Sequence, residues 1–439
     1  MKRSVCLTLA ILLTLATSAI GSAAELSITA TVEKVVLDNG VTLLLKENPA
    51  FDIIALSLLT GAGSVHDPEG LEGLTYLTQR NLLSGTHTRS GQDLVVALES
   101  LGIQLQATAS YDYSAVLMQA TPSAFGPGLD ILMDMLENPA FPEAEFERER
   151  HTGLAEYESL YDEPINAVLF GFLEVFYGDH PYRYSPYGSG EGLLAATRED
   201  AANWHRYIYQ PEKMVVAVVG NFATAEILPV LEDRFGRLKD SFPGTPVPRA
   251  DQKFIYPDED RQLVINLPTQ AAFMVIGYPA PETFGEDAPA MAVINSVLGE
   301  GMSSRLFTEI RDKRGLAYTV LSQYSDRLGP SSLFTFLATH PDNVDEAREH
   351  VLLEIQRFAE EGLSPEEIAW VAGQKRGAFI RQNETNLSQS ALLAVAELVG
   401  FGYQWVDEYL RFYEEVTPED ITAAAQKYFQ NYTEVLITP

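Results

Sequence analysis

The chain has 439 residues, 46% of them hydrophobic, and carries 30 basic against 61 acidic side chains, for a net charge of −31. This composition is typical of a globular protein, and the length allows two domains of about 200 residues each. Nucleic acids and anionic membranes bind basic faces, so the charge argues against both as partners.

Residues 1–24 have the pattern of a signal peptide. Lys2 and Arg3 precede an apolar run over 5–20, and the small residues Ser22-Ala23-Ala24 follow as a cleavage site. An uncleaved membrane anchor is the alternative, but the run is shorter than the ~20 residues that a span requires. We therefore expect an exported protein, with the bacterial periplasm as its compartment and no stable membrane insertion after cleavage. Cleavage would remove Cys6, the only cysteine, and leave no disulfide and no thiolate metal site.

The rest of the chain mixes strand and helix patterns. Asp38-Asn39-Gly40 lies between two short apolar strands and is a strong hairpin signal. The first half is predicted to contain strands at 33–37, 41–46, 51–60, within 105–120 and at 214–220, and helices at 70–83, 94–101, 124–136, 143–160 and 223–235. The second half is predicted to contain two strands, a helix at 288–298, a loop with a short helix, a hairpin, and about four helices between 343 and 429.

An internal repeat divides the chain into two similar halves. A helix, a short break and a Pro-Glu helix start occur at 121–145 and again at 339–367, each after alternating apolar residues typical of strands. Pro142 and Pro365 occupy equivalent places in the two copies. We therefore predict an α+β fold of two homologous domains, 25–237 and 259–439, joined by a linker at 238–258. Each domain would be a mixed, mostly antiparallel sheet with helices packed on one face.

The stretch 299–320 is the most informative in the chain. Gly299 and Gly301 are predicted to supply backbone freedom to a loop, and Ser303 to cap the short helix that follows. Arg311 and Tyr318 fall on either side of the point where the pattern changes from helix to strand. Spacing alone indicates no more than a surface helix that enters a sheet, with an arginine in a solvated ion pair.

This stretch resembles the signature of the C-terminal domain in the pitrilysin/insulinase family of inverted zinc peptidases, and the chain is similar to the processing-peptidase-like two-domain members. They carry a similar Gly-x-Gly-Met-x-Ser-Arg-Leu run, followed by Arg and Tyr at this spacing. The resemblance implies a pair of domains or chains that closes a chamber. One side supplies zinc, and the other supplies an Arg and a Tyr, here Arg311 and Tyr318, that stabilise the oxyanion forming at the scissile bond.

The zinc motif of the family is lost in this sequence. Its active members carry His-x-x-Glu-His on the first-domain helix, where two histidines bind zinc and the glutamate is the general base. Here Tyr76 and Arg80 stand at the histidine positions and Gln79 at the base position, while Glu156 matches the third ligand. A phenol binds zinc poorly, a guanidinium has no lone pair to donate, and an amide is not a base. We therefore expect a degenerate site without metal, filled by a bidentate Arg80–Glu156 ion pair.

The resemblance thus implies a non-catalytic subunit that pairs with a zinc-bearing homologue to hydrolyse peptides. This chain would supply Arg311, Tyr318 and a chamber wall, and the partner would supply the zinc, the only cofactor. Peptide would be held by the loop at Gly299 and Gly301 and as an added strand along a sheet edge. In this sequence the edge strand contains Leu105-Gln106-Ala107-Thr108, which differs from the Leu-Asn-Ala-x-Thr of active relatives.

Three alternatives remain open from the sequence. The first is a stand-alone metallopeptidase with Glu149, Glu156 and His87 as unusual ligands, since the seven histidines contain no helical i,i+4 pair. The second is a peptide-binding or scaffold pseudopeptidase, which could be a homodimer. The third is a decayed paralogue, in which Arg311 and Tyr318 persist only because they pack.

Overall fold

The computed structural model describes residues 27–239, 254–325 and 327–439. The predicted signal peptide and most of the predicted linker lie outside these residues, so the proposed domain limits stay predictions. No helix in the described ranges combines the length and apolarity needed to cross a membrane.

The first half forms one six-stranded sheet with its helices. The elements are β1 Val32–Val36, β2 Thr42–Glu47, β3 Ile54–Thr60, α1 Leu74–Arg80, α2 Gly91–Ser100, β4 Gln104–Ala109, β5 Ser114–Ala120, α3 Pro122–Glu137, α4 Glu143–Asp162, α5 Pro164–Tyr177, α6 Gly190–Ala195, α7 Arg198–Ile208, β6 Met214–Gly220 and α8 Thr224–Phe235. The strand order is β1-β2-β6-β3-β5-β4, and only β2 and β6 are parallel. The predicted hairpin is confirmed, with Gly40 in the left-handed region at φ +93°.

The second half repeats this plan. Its elements are β7 Arg261–Asn266, β8 Ala272–Ala280, α9 Ala288–Gly299, a π-helical segment Phe307–Asp312, β9 Thr319–Ser325, β10 Ser331–Thr339, α10 Val344–Glu360, α11 Pro365–Gln382, α12 Asn386–Leu398, α13 Trp405–Glu414, α14 Pro418–Tyr428 and β11 Thr433–Thr438. The order β7-β11-β8-β10-β9 matches β2-β6-β3-β5-β4, again with one parallel pair. The predicted α+β fold with two mixed, mostly antiparallel sheets is confirmed.

Each half packs its own helices on one face of its sheet. Leu129 and Leu132 of α3 are fully buried against the first sheet, and Ala347 and Val351 of α10 are fully buried in the core of the second half. The structure has helices α5, α6 and α7 that the sequence analysis did not predict, and five helices after residue 343 where about four were expected.

The opposite face of each sheet is covered by a helix from the other half. Helix α12 packs on β3 and β6, while α5 packs on β8 and β11. The hydroxyls of Ser57 and Ser390 lie 2.8 Å apart in the first of these contacts, both buried. In the second, the Phe172 ring lies so close to Gly277 that a Cβ there would be 2.3 Å from it. This exchange of helices joins the two halves into one body.

Candidate functional site

The start of helix α1 is fixed by a buried carboxylate. Gly73 adopts a left-handed conformation, φ +103°, and its N–H donates to Asp67 at 2.7 Å. The backbone N–H and the hydroxyl of Thr75 donate to the other oxygen of Asp67 at 2.9 and 2.5 Å. Burial raises the pKa of the Asp67 carboxyl to about 7, although these hydrogen bonds oppose the shift. The helix therefore begins at Leu74, four residues later than predicted.

Helix α1 and helix α4 meet through a cluster of four side chains, Tyr76, Arg80, Glu149 and Glu156, which we call the Arg80 cluster. Nη1 of Arg80 donates to both carboxylate oxygens of Glu156, at 3.2 and 3.0 Å. Its Nε and Nη2 lie 3.0 and 2.9 Å from one oxygen of Glu149. Tyr76 donates its hydroxyl proton to Glu156 at 2.6 Å and accepts from Arg80 at 3.1 Å. Both carboxylates thus share one guanidinium.

The expected Arg80–Glu156 ion pair forms, with a different geometry. A single nitrogen reaches both oxygens of Glu156, and the fork of the guanidinium is turned toward Glu149. Glu149 and Glu156 are seven residues apart on α4 and so lie on one face of that helix. From this spacing, the sequence could have predicted that Glu149 binds Arg80 together with Glu156.

The electrostatics of the Arg80 cluster favour a cation. Burial disfavours the charged form of Arg80, but the charges of Glu156 and Glu149 and the hydrogen bond to Glu149 outweigh it, and the pKa of the guanidinium is raised. Burial and the hydrogen bond to Glu156 raise the pKa of the Tyr76 phenol, so it stays protonated and cannot act as a phenolate ligand.

These residues do not fit zinc. A guanidinium occupies the space between the two carboxylates and offers no lone pair, and the phenol is neutral. No group of three or more His, Cys, Asp or Glu side chains that could hold a metal occurs in the described ranges, so Glu149, Glu156 and His87 do not form one.

Gln79, at the general-base position, has no side-chain hydrogen bond to the Arg80 cluster within the described residues. It is 2% exposed, and its amide oxygen accepts a hydrogen bond from the Tyr209 hydroxyl at 2.9 Å. Its side chain therefore packs toward α7 and belongs to the core of the first half.

The loop at 299–320 differs in detail from its prediction. Gly299 is the last residue of α9 and is buried, and a Cβ there would lie 2.2 Å from the Ser322 nitrogen, so close packing rather than backbone freedom requires this glycine. Gly301 does supply backbone freedom, with φ +89° and open space around it. Ser304 rather than Ser303 lies at the helix start, where its hydroxyl accepts from the Phe307 N–H at 3.4 Å.

Arg311 and Tyr318 point into solvent. Tyr318 is 61% exposed, and Arg311 is exposed with its guanidinium over the Phe307 ring at 4.6 Å. Within the described ranges, neither side chain has a hydrogen bond or an ion pair. This exposure argues against the alternative in which the two residues persist because they pack.

The predicted peptide-binding strand is an edge strand. Strand β4 pairs only with β5, and its other side is the limit of the sheet. Gln106 is exposed and Ala107 is partly buried on this strand. The edge can therefore accept an added strand.

Comparisons with known proteins agree with this fold. The model for insulinase (peptidase family M16) matches residues 42–185, and the model for the peptidase M16 inactive domain matches residues 195–371. An uncharacterized zinc protease of Streptomyces coelicolor is 28% identical over 400 residues, 90% of this chain and 87% of the relative.

Two solved structures share the fold. The peptidase M16 inactive domain of Pseudomonas fluorescens superposes with a TM-score of 0.84 at 20% identity, over 93% of this chain and 98% of that one. The periplasmic protease PqqL of Escherichia coli gives 0.80 at 15% identity, over 94% of this chain but 46% of that one. With both halves matched in order, the chain belongs to the insulinase family, peptidase family M16, and it lacks the zinc motif of the active members.

Proposed function

We propose that this protein is the non-catalytic subunit of a composite zinc peptidase. The observation that carries the proposal is the Arg80 cluster, in which a permanent cation fills the place where active relatives bind metal. A chain with this arrangement needs a partner for hydrolysis. The partner is a homologue with an intact His-x-x-Glu-His motif, and it supplies the zinc and the general base.

Arg311 and Tyr318 are this chain's contribution to the reaction. Both are exposed and near each other in sequence, so they are accessible to a peptide bound between two subunits. A fixed cation and a phenol donor beside the scissile carbonyl would stabilise the negative charge that develops on its oxygen. Peptide would lie near Gly301 and along the edge strand at Gln106 and Ala107.

The size of the fold supports a pair. This chain matches 46% of PqqL, so a second unit of similar size is needed to reach the length of that protease. The match to the M16 inactive domain covers 195–371, the part of the chain that includes Arg311 and Tyr318. An N-terminal segment typical of a signal peptide supports export, and we propose the periplasm as the compartment.

The test is activity of the mature chain alone, of the zinc-bearing homologue alone, and of their mixture. We expect no bound zinc and no cleavage by this chain alone, and a strong gain in cleavage in the mixture. Arg311→Ala and Tyr318→Phe should each lower kcat of the mixture by about 10²–10³, the usual effect of losing an oxyanion donor. Arg314→Ala is the matched control, because Arg314 is nearby and pairs with Glu309 on the surface.

Two results would contradict the proposal. Peptide cleavage and stoichiometric zinc in the chain alone would mean that this chain binds zinc and is active in spite of the Arg80 cluster. Unchanged turnover with both Arg311 and Tyr318 replaced, in a mixture that still assembles, would remove them from the composite site.

A peptide-binding scaffold without proteolysis is the second candidate, and the open edge of β4 favours it. In that case the mature chain would bind peptides, and the homologue's turnover would be the same with and without it.

A further inference from the structure

A groove of about 400 Å³ follows the open edge of β4, and we call it the edge groove. On the face of the sheet that carries the helices of the first half, its wall includes Leu83, Val95 and Leu98. On the opposite face, its wall includes Leu117 and, from helix α12 of the second half, Leu387. The edge groove therefore surrounds the free edge on both faces of the sheet.

The backbone of β4 directs hydrogen-bonding groups into the edge groove. The Ser110 N–H donates to the Tyr113 carbonyl at 2.8 Å, and residues of an antiparallel ladder alternately face the partner strand and face away from it. In the register of β4 and β5, Gln106 therefore bonds to β5, whereas Leu105 and Ala107 direct their N–H and C=O groups outward. No other strand of the described residues pairs with these groups. An added strand would satisfy them.

The two faces of the edge groove differ in chemistry. On the helix face, Leu105 is partly buried against the core, and Val95 is 45% exposed. On the other face, Gln104 and Gln106 are exposed, and the amide of Gln119 donates to that of Gln104 at 3.2 Å. Side chains of an added strand alternate between the two faces. The residue opposite Leu105 would thus meet an apolar surface, and its two neighbours would meet amides.

We propose that the edge groove selects extended peptides in which one large apolar residue stands between two polar residues. The apolar side chain lies against Val95, Leu98 and Leu105, and the polar ones lie against the glutamines. This inference rests on the proposed binding of peptide at β4 and adds the sequence that is bound there. A short peptide suits the edge groove better than a second copy of this chain, because two copies with a net charge of −31 each repel one another.

The first test is calorimetry of the full mature chain with the heptapeptide acetyl-Ser-Thr-Ser-Leu-Ser-Thr-Ser-amide. In two matched peptides the leucine is replaced by alanine, which is smaller, or by asparagine, which has a similar shape and is polar. We expect each replacement to weaken binding about tenfold or more, because less apolar surface is buried. Equal affinity of the three peptides would overturn the proposal.

Two N-methylated peptides test strand addition. One carries the methyl group on the leucine nitrogen, and the other carries it on the nitrogen of the next serine. Since alternate N–H groups of an added strand face β4, one methyl group should abolish binding and the other should be tolerated. Equal effects of the two methyl groups would contradict strand addition.

Variants of helix α2 locate the site. Val95→Asp should weaken binding about tenfold or more and remove the preference for leucine over asparagine. Val96→Asp is the matched control, because Val96 is 56% exposed on the same helix and lies outside the wall of the edge groove. Equal losses in the two variants would overturn the proposal. So would absence of binding at millimolar concentration, or a dimer of this chain that Val95→Asp separates.

These measurements use this chain without the zinc-bearing homologue. Absence of cleavage in the mixture would therefore contradict the composite peptidase and leave the peptide selection of the edge groove in place. Cleavage in the mixture together with equal affinity for the three peptides would do the reverse.

Discussion

Arg80 places a permanent positive charge between two carboxylates and a phenol at the junction of α1 and α4. In active relatives the zinc dication binds at this place. Without a cation here, the carboxylates of Glu149 and Glu156 would repel each other. The guanidinium provides charge compensation and three contacting nitrogens at once. In the proposed non-catalytic subunit, the side chain that excludes metal is therefore also one that joins the two helices.

Arg80→Ala should destabilise the mature chain by about 1–3 kcal/mol, because it leaves Glu156 without its cation and Glu149 with only the exposed Arg148 as a partner. Arg80→Lys should recover only part of this, since an ammonium cannot reproduce the planar fork. Urea unfolding of the purified chain measures the loss. Arg376→Ala is the control: Arg376 and its partner Glu414 are 55% and 53% exposed, so we expect about 0.5 kcal/mol or less. Equal losses in the two variants would contradict a special role for Arg80.

His205 should make the protein sensitive to acid. Burial lowers its pKa from the usual 6.5 to about 3, so the folded state binds this proton more weakly than the unfolded state does. The neutral ring's contribution is complete above pH 6.5 and is lost as the pH falls from there toward 3, by about 1.4 kcal/mol per pH unit. Asp67, with a pKa raised to about 7, acts in the opposite direction over pH 4–7. The measurement is therefore the difference in unfolding free energy between the unaltered chain and His205→Gln, which should fall by about 2.7 kcal/mol between pH 7 and pH 4.5. A difference independent of pH would refute the assignment.

At the scale of helices and strands, the sequence pattern predicts where a helix or strand occurs more readily than which element it packs against. The hairpin at Gly40 and the amphipathic helices were predictable because turn chemistry and periodicity are local. Helix α5 was missed, since apolar residues occur on nearly all of its faces. Helix α12 lies in a region predicted to be helical, but nothing in its periodicity indicates that it covers the sheet of the other half.

In the candidate site, too, some features could be predicted from the sequence and others depend on packing. Arg80 and Glu156 were paired from their places in the family's motif, whereas the hydrogen bond of Gln79 to Tyr209 depends on how α1 packs against α7. The close contact of Gly299 with Ser322 likewise depends on α9 lying against β9, which no local pattern specifies.

A substitution at Phe172 tests how much the packing of α5 on the second sheet stabilises the protein. This residue is fully buried on α5, with its ring 5.6 Å from that of Phe334 on the second sheet and directly over Gly277. Phe172→Ala should cost about 3–5 kcal/mol of stability, because it removes a large ring at the joint between the halves. Phe51→Ala, at a position 60% exposed, should cost no more than about 0.5 kcal/mol. Thermal and urea unfolding compare the two, and a small loss at Phe172 would mean that the halves depend little on this contact.

At the scale of the whole molecule, the two halves share one strand order and differ in chemistry. The first half has the Arg80 cluster and the open edge at β4, and the second half has the exposed Arg311 and Tyr318. In the proposed composite peptidase, the second half faces the partner's zinc, and the first half serves as wall and scaffold. The excess of acidic over basic side chains favours high solubility.

The exchange of α5 and α12 also restricts when the protein can fold. The outer face of the first sheet, with Leu44, Leu59 and Val215, is buried by α12, which lies near the far end of the chain. A nascent chain that contains only the first half would expose this apolar face and be prone to aggregation. We therefore expect the first half to fold stably only once α12 has been made. Transport of the polypeptide in an unfolded state, with folding only after its far end has crossed the membrane, would satisfy that order of events.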